Sequence, residues 1–357
     1  MKKLFALALL GAAAAGTRLV ADEGRIPIST PTTITKSGHY IVTRDLFING
    51  PGSILAIGNN HVTIDLNGFS LQSLNGTDPV IRSLGGFGSL TIRNGTVEGG
   101  SAGILFPAGG TRVVIEGVLV TGADQDGIRL NGVNDFAIRR SIISIHHLDG
   151  IHVEAGNGYS EVVGTIENNL VEDCGGSGIE ILDGSGVGVV GNRIRGTDQG
   201  IALVAPAGCL ISDNTVVAAR GDGIFIFDDL TRGGAHGGNR LSGNAVSGSG
   251  SVGIAIGGIE TGGSSTGNFV INNTITRSSS AGLAVHSGLN QIEDNVMTLN
   301  GDVGLWLGGN SFKNVYRRNT ARGNQSPSPC AIGSTPDFCD AGAKNTSAGD
   351  NFLPDPQ

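Results

Sequence analysis

Three short stretches of the chain, QDGIRLN (125–131), LDGIHVE (148–154) and GSGIEILD (176–183), lie about one repeat apart and gather groups that move protons or hold charge. In each, apolar residues alternate with polar ones after the glycine, so Arg129, His152 and Glu180 are expected on one face of successive strands. Asp126 and Asp149 stand just before the glycine, Asp124 and His147 two residues earlier, and Asn131 and Glu154 follow on the outward face. A carboxylate beside an imidazole can orient it and exchange a proton with it. Two carboxylates stacked one strand apart repel unless a cation, a metal or a shared proton lies between them. The plainer reading is that Asp-Gly is simply a good turn, recurring at Asp222–Gly223, and that an exposed sheet face is polar anyway. Against it stands the clustering of these acids and bases in about two and a half repeats of a chain with only 15% charged residues.

What must position them is a repeat. Gly-(Ile/Leu) pairs recur at Gly103, Gly127, Gly150, Gly178, Gly200, Gly223, Gly253, Gly282 and Gly304, in steps of 24, 23, 28, 22, 23, 30, 29 and 22 residues. A second marker keeps the same period, an asparagine ahead of a short apolar strand: Asn169, Asn192, Asn214, Asn244, Asn273, Asn295 and Asn319. Two markers with one period indicate a solenoid. Apolar residues alternate at period two between Gly, Asn and Asp, which predicts short strands joined by turns, with no room for a helix and without the spaced leucines of a leucine-rich repeat. With the register set, the second outward position reads Leu105, Arg129, His152, Glu180, Ala202, Phe225, Ala255, Ala284, Trp306. Phe225 and Phe227, followed by Asp228, suggest a stacking platform for sugar rings, with packing under a loop as the plainer use. Glu154 joins them as an expected substrate contact. The insertions at 154–162 and 228–238 follow the same strand and are expected to rise as walls beside it. Trp306 is read as end-coil packing.

The 357 residues, with 61 glycines and a net charge of −8, are too apolar for a disordered chain, and the acidic balance argues against a nucleic-acid partner. Residues 1–21 have two lysines, an interrupted apolar run and small residues, the layout of a secretory signal rather than a membrane span, so a secreted or periplasmic protein is expected. The expected organisation is then an N-terminal cap over 22–53, a solenoid over 54–325 and a C-terminal capping tail over 326–357 that folds back on the last coil. Cys330 and Cys339, nine apart in a Pro/Ser/Gly-rich tail, are expected to form a local disulfide. Cys174 and Cys209 fall at different phases of the repeat and are expected to be buried free thiols.

The pattern resembles the right-handed parallel β-helix repeat of pectate lyases, polygalacturonases, alginate epimerases and many exported bacterial proteins. The resemblance implies an all-β, single-stranded right-handed parallel β-helix of about eleven coils. DQDG followed by LDG is similar in position to the acidic residues of the polygalacturonase-like glycosidases, which would make Asp126 and Asp149 the two catalytic carboxylates. The chain departs from that family where it has GSG instead of Gly-His-Gly, and it lacks the Arg-Ile-Lys motif. A lyase-like reading makes Arg129 or His152 the base and lets Asp124, Asp126 and Asp149 hold Ca²⁺ against a substrate carboxylate. LDGIH does not match the Asp-Pro-His pattern of the alginate epimerases. The functional expectation is an exported monomer that binds a polysaccharide along the outward face and cleaves it as a glycosidase or lyase. The alternative is a non-catalytic glycan-binding or spacer protein.

Overall fold

The computed structural model describes residues 24–74, 76–156, 162–227, 236–257, 265–325 and 337–353. Among them there are strands and no helix, and every strand pairing is parallel. The chain winds as a right-handed parallel β-helix. A typical coil carries three strands, such as Ile151–Glu154, Gly164–Glu167 and Leu170–Glu172. The first of these belongs to a sheet of 13 strands running from Thr32–Ile34 to Phe338–Asp340. Eleven of the 13 fall between residues 54 and 325, the expected coil number. The other two strands of each coil form two strips, which the unbroken strands Gly88–Gly99 and Gly110–Thr121 join into one sheet.

Alternation builds the interior. Ile128 and Leu130, Ile151 and Val153, Ile179 and Ile181 are all 0% exposed and stack as columns, each coil about 4.8 Å from the next. The glycine that opens each strand has a steric cause. A Cβ on Gly150 would lie 2.7 Å from the carbonyl oxygen of Gly178 in the next coil and 2.4 Å from Val171, closer than any side chain allows. Coils therefore approach too tightly at this corner for another residue.

The asparagine column lies inward at a turn, as expected. Each member follows a left-handed residue, for example Asn168 (φ 55°), Asp213 (φ 57°) or Asp294 (φ 56°). Its Oδ1 then accepts from both the backbone N–H and the Nδ2 of the asparagine one coil earlier. Asn244 Oδ1 receives Asn214 N and Nδ2 at 3.0 Å each, while its own Nδ2 donates to Ile211 O and Asn273 Oδ1, both at 2.9 Å. Two further ladders went unread in the sequence. Asn239, Asn268, Asn290, Asn314 and Asn345 form one, and Asn300, Asn324 and Asp337 the other.

The end segments are built as further coils. Arg25–Ile28 pairs in parallel with Gly38–Val42. The described part of the tail does not fold back: Phe338–Asp340 pairs with Leu305–Leu307, and Asn345 and Asn351 prolong two ladders. Asn345 and Asn351 thereby accept from the backbone and side-chain amides of Asn314 and Asn319 in the coil before. Cys174 and Cys209 are free and buried, as expected. Cys339 is buried too, and its expected partner Cys330 lies outside the described residues, as do the signal-like residues 1–21.

Candidate functional site

The register of the 13-stranded sheet sets Leu105, Arg129, His152, Glu180, Ala202, Phe225, Ala255, Ala284 and Trp306 side by side in that order. A neighbouring outward column holds Asn131, Glu154, Leu182, Val204 and Phe227.

Each aspartate of the Asp-Gly turns uses one oxygen for the fold. Asp126 Oδ1 accepts the backbone N–H of Asp149 at 3.0 Å, and Asp149 Oδ1 accepts that of Ser177 at 2.7 Å. Asp222 does the same for Val252 at 2.9 Å, away from any cluster. The turn-forming role is therefore real. The second oxygens do something else: Asp126 Oδ2 meets the Arg129 guanidinium at 3.2 Å, and Asp149 Oδ2 meets His152 Nδ1 at 3.0 Å. Arg129 also donates to Asn131 at 3.1 Å and lies 3.7 Å from Glu154.

His152 is the centre of the arrangement. Its Nδ1 is 3.0 Å from both Asp149 Oδ2 and Glu180 Oε2. Its Nε2 is buried with no hydrogen-bond partner, the nearest carboxylate oxygen on that side being Glu154 Oε2 at 3.7 Å. Burial is the largest single influence on the imidazole and disfavours its charge, but the hydrogen bonds that it donates to Asp149 and Glu180, with the charge of Asp126, outweigh it and push the pKa up to about 9. Burial holds the Asp149 carboxyl above the usual carboxylate range. The His152 hydrogen bond holds Glu180 below it. A surface cluster would be wet, but here His152 is only 7% exposed and Asp126 only 1%. Pointing away from the core did not leave them in water, because charged neighbours in adjacent coils pack over them.

The cation reading meets a different donor set. Asp124 turns its carboxylate toward Gly76, where it lines a cleft of about 230 Å³ with Glu98 and Gly100. The ligand-type atoms that do converge, within 4.8 Å, belong to Asp126, Asp149 and His152. Both oxygens of Asp126 are already bonded, and the third member is a nitrogen ligand. Ca²⁺ takes six to eight oxygens, and this set does not fit it.

Phe225 and Phe227 stack with ring centroids 5.7 Å apart, and Phe225, in register with Ala255, packs against a small apolar group that includes it. Trp306 belongs to the same apolar group and meets His286 edge-on at 4.5 Å. Asp228 and most of the two expected walls lie outside the described residues. His147 is exposed, whereas the adjacent His146 is fully engaged: it accepts the Ala123 N–H, contacts Val120 O, and is driven by burial to a pKa of about 4. One member of the site column escaped the sequence reading. Arg82 stands beside Leu105, two coils before Arg129, on a strand with no Gly-Ile pair to mark it.

The family described as right handed beta helix region matches residues 80–228 and, overlapping, 144–262. No curated protein matches the chain in sequence. Among solved structures, the A-module of the mannuronan C-5 epimerase AlgE4 from Azotobacter vinelandii is similar at 15% identity and a TM-score of 0.51, over 90% of each chain. The catalytic unit of a GH87 α-1,3-glucanase from Streptomyces thermodiastaticus is similar at 15% identity and a TM-score of 0.57, over 88% of this chain and 64% of that one. The periplasmic alginate epimerase AlgG is similar at 13% identity and a TM-score of 0.54, over 83% of this chain and 77% of that one. At such identities the likeness is one of fold.

Proposed function

The chain belongs to the right-handed β-helix family, and from that premise we propose that it is an exported, monomeric carbohydrate-active protein that binds a polysaccharide along its 13-stranded face and cleaves it. The observation that carries this reading is His152, with Nδ1 held by two carboxylates and a buried Nε2 that has no partner. With a pKa near 9 the ring is an imidazolium at neutral pH, so Nε2 carries a proton aimed at no protein acceptor. That is the state a general acid needs to protonate a glycosidic oxygen as its bond to carbon breaks. Asp149 and Glu180 orient and charge the ring, Arg129 steadies Asp126 and Glu154, and Glu154, near the same nitrogen, is the carboxylate that receives the proton of an incoming water. Asp126, sealed on both oxygens, is a positioning residue in place of the acid that the glycosidase resemblance implied. AlgE4 is named an epimerase and the GH87 protein a glucanase, so this fold supports chemistry on sugar chains in other proteins.

The test is depolymerisation of neutral and uronic-acid polysaccharides by the purified chain, with and without chelator. His152→Ala and Glu154→Gln should each lower turnover about a hundredfold or more, the usual scale for acid–base groups, and chelator should change nothing. Asp149→Asn retains the turn bond to Ser177 and should keep the fold while slowing turnover. Full activity in well-folded His152→Ala refutes the assignment. Glycan binding without any cleavage would favour the non-catalytic reading, for which the stacked Phe225–Phe227 pair is the specific observation; Phe225→Ala should then weaken binding.

A further inference from the structure

Arg82 lies in the outward column of the same sheet, in register with Ala56 on one side and Leu105 on the other. Its strand neighbours Ile81 and Ser83 are 0% exposed and point inward, so the guanidinium faces the surface that carries His152. Three coil steps separate the two residues, roughly 14 Å at the spacing of paired strands. The two arginines of this column differ sharply. Arg129 is engaged by Asp126, Asn131 and Glu154. Arg82 has no hydrogen bond or ion pair among the described residues, and its Nε is buried without an acceptor. Other arginines with no partner among the described residues, such as Arg193 and Arg240, are exposed to solvent. Ala56 and Leu105 offer Arg82 nothing to bond, and Asp78, four residues earlier in the chain, turns its Oδ2 to the Gly52 N–H at 2.8 Å and the Thr77 hydroxyl.

A buried donor left unmet is costly, the more so when charged. A ligand oxyanion would relieve it, and a planar guanidinium is suited to a two-oxygen grip. The charge pattern along the column says where such a group would sit. Around His152 four carboxylates, of Asp126, Asp149, Glu154 and Glu180, face two cations, so an anionic sugar is repelled there and attracted at Arg82. Resting on the polysaccharide reading above, we propose that Arg82 binds an anionic substituent of the glycan, a carboxylate or a sulfate ester, on a sugar three coil steps from His152, leaving an uncharged sugar at the reacting centre.

The experiment is calorimetric titration of the full chain and of Arg82→Gln with four probes: an oligogalacturonate, its carboxyl-reduced counterpart, an oligosaccharide of κ-carrageenan, whose only charges are sulfate esters, and its desulfated form. The wild-type chain should bind one charged probe at least tenfold more tightly than its neutral counterpart, and which pair shows the preference separates carboxylate from sulfate. Arg82→Gln should abolish that preference and leave neutral-probe affinity within about twofold; Arg82→Lys should restore part of it. An unchanged preference in Arg82→Gln, or none in the wild type, overturns the assignment while the polysaccharide reading stands. A wild-type chain that binds none of the four, nor any polysaccharide of the cleavage screen, overturns both.

Discussion

Burial and orientation separate at His152, which points outward yet keeps 7% of its surface, and its protonation follows from that separation. A fully hydrated imidazole between two carboxylates would feel them weakly, whereas the packed one is pushed up to about 9. A pKa raised above the unfolded value of 6.5 stabilises the fold fully below that value, and the contribution fades as pH rises through about 9. Thermal melts should therefore show a stability loss of up to roughly 3 kcal/mol between pH 7 and 10, because each tenfold gain in proton affinity on folding is worth about 1.4 kcal/mol. In His152→Gln that loss should largely vanish, and persistence of the full slope would place its origin elsewhere. The alkaline limb of kcat/KM should fall near the same pH, since the acid form is the active one. The spacing of Asp149 and His152 made their pairing legible. That Glu180 would share the same nitrogen was not legible, because it depends on side-chain rotamers meeting across coils.

At the scale of the strand and turn, Asn244 shows why the asparagines cannot be replaced cheaply. Its side chain makes four hydrogen bonds in a site 1% exposed, joining three coils. Asn244→Ala strands donors on Asn214 and acceptors on Ile211 and Asn273, and should destabilise by about 3 kcal/mol, the upper end for unmet buried partners. A shift below about 0.5 kcal/mol in chemical denaturation would show that water fills the gap. This column was readable because its members precede apolar strands at a constant phase. The ladder through Asn239 and Asn268 was harder to see, since it begins only at coil positions where Val187 and Cys209 stood before. A corner that changes residue type partway along the solenoid leaves no uniform mark.

Across the whole molecule the backbone of each described coil pairs with that of its neighbours, so the ends need closing, and the tail meets that need by continuing the coil. A disulfide between Cys330 and Cys339 would staple the continuation. Thiol counting in denaturant should find two reactive groups without reductant, Cys174 and Cys209, and four with it; four in both would remove the bond. The burial that lifts the Cys174 thiol to about 12 and Cys209 to about 11 should keep both unreactive in the native state. The amino-acid sequence by itself determined the solenoid, its coil number and the column in which Arg129, His152 and Glu180 stand, because stacking at one strand spacing turns a linear period directly into spatial neighbours. Only the tertiary structure decided which of Asp124 and Asp126 reaches the cluster, which oxygen of each aspartate is taken by a turn, and that Arg82 shares the face without a partner. Those outcomes depend on rotamers and on irregular turns of unequal length, where the period carries no information.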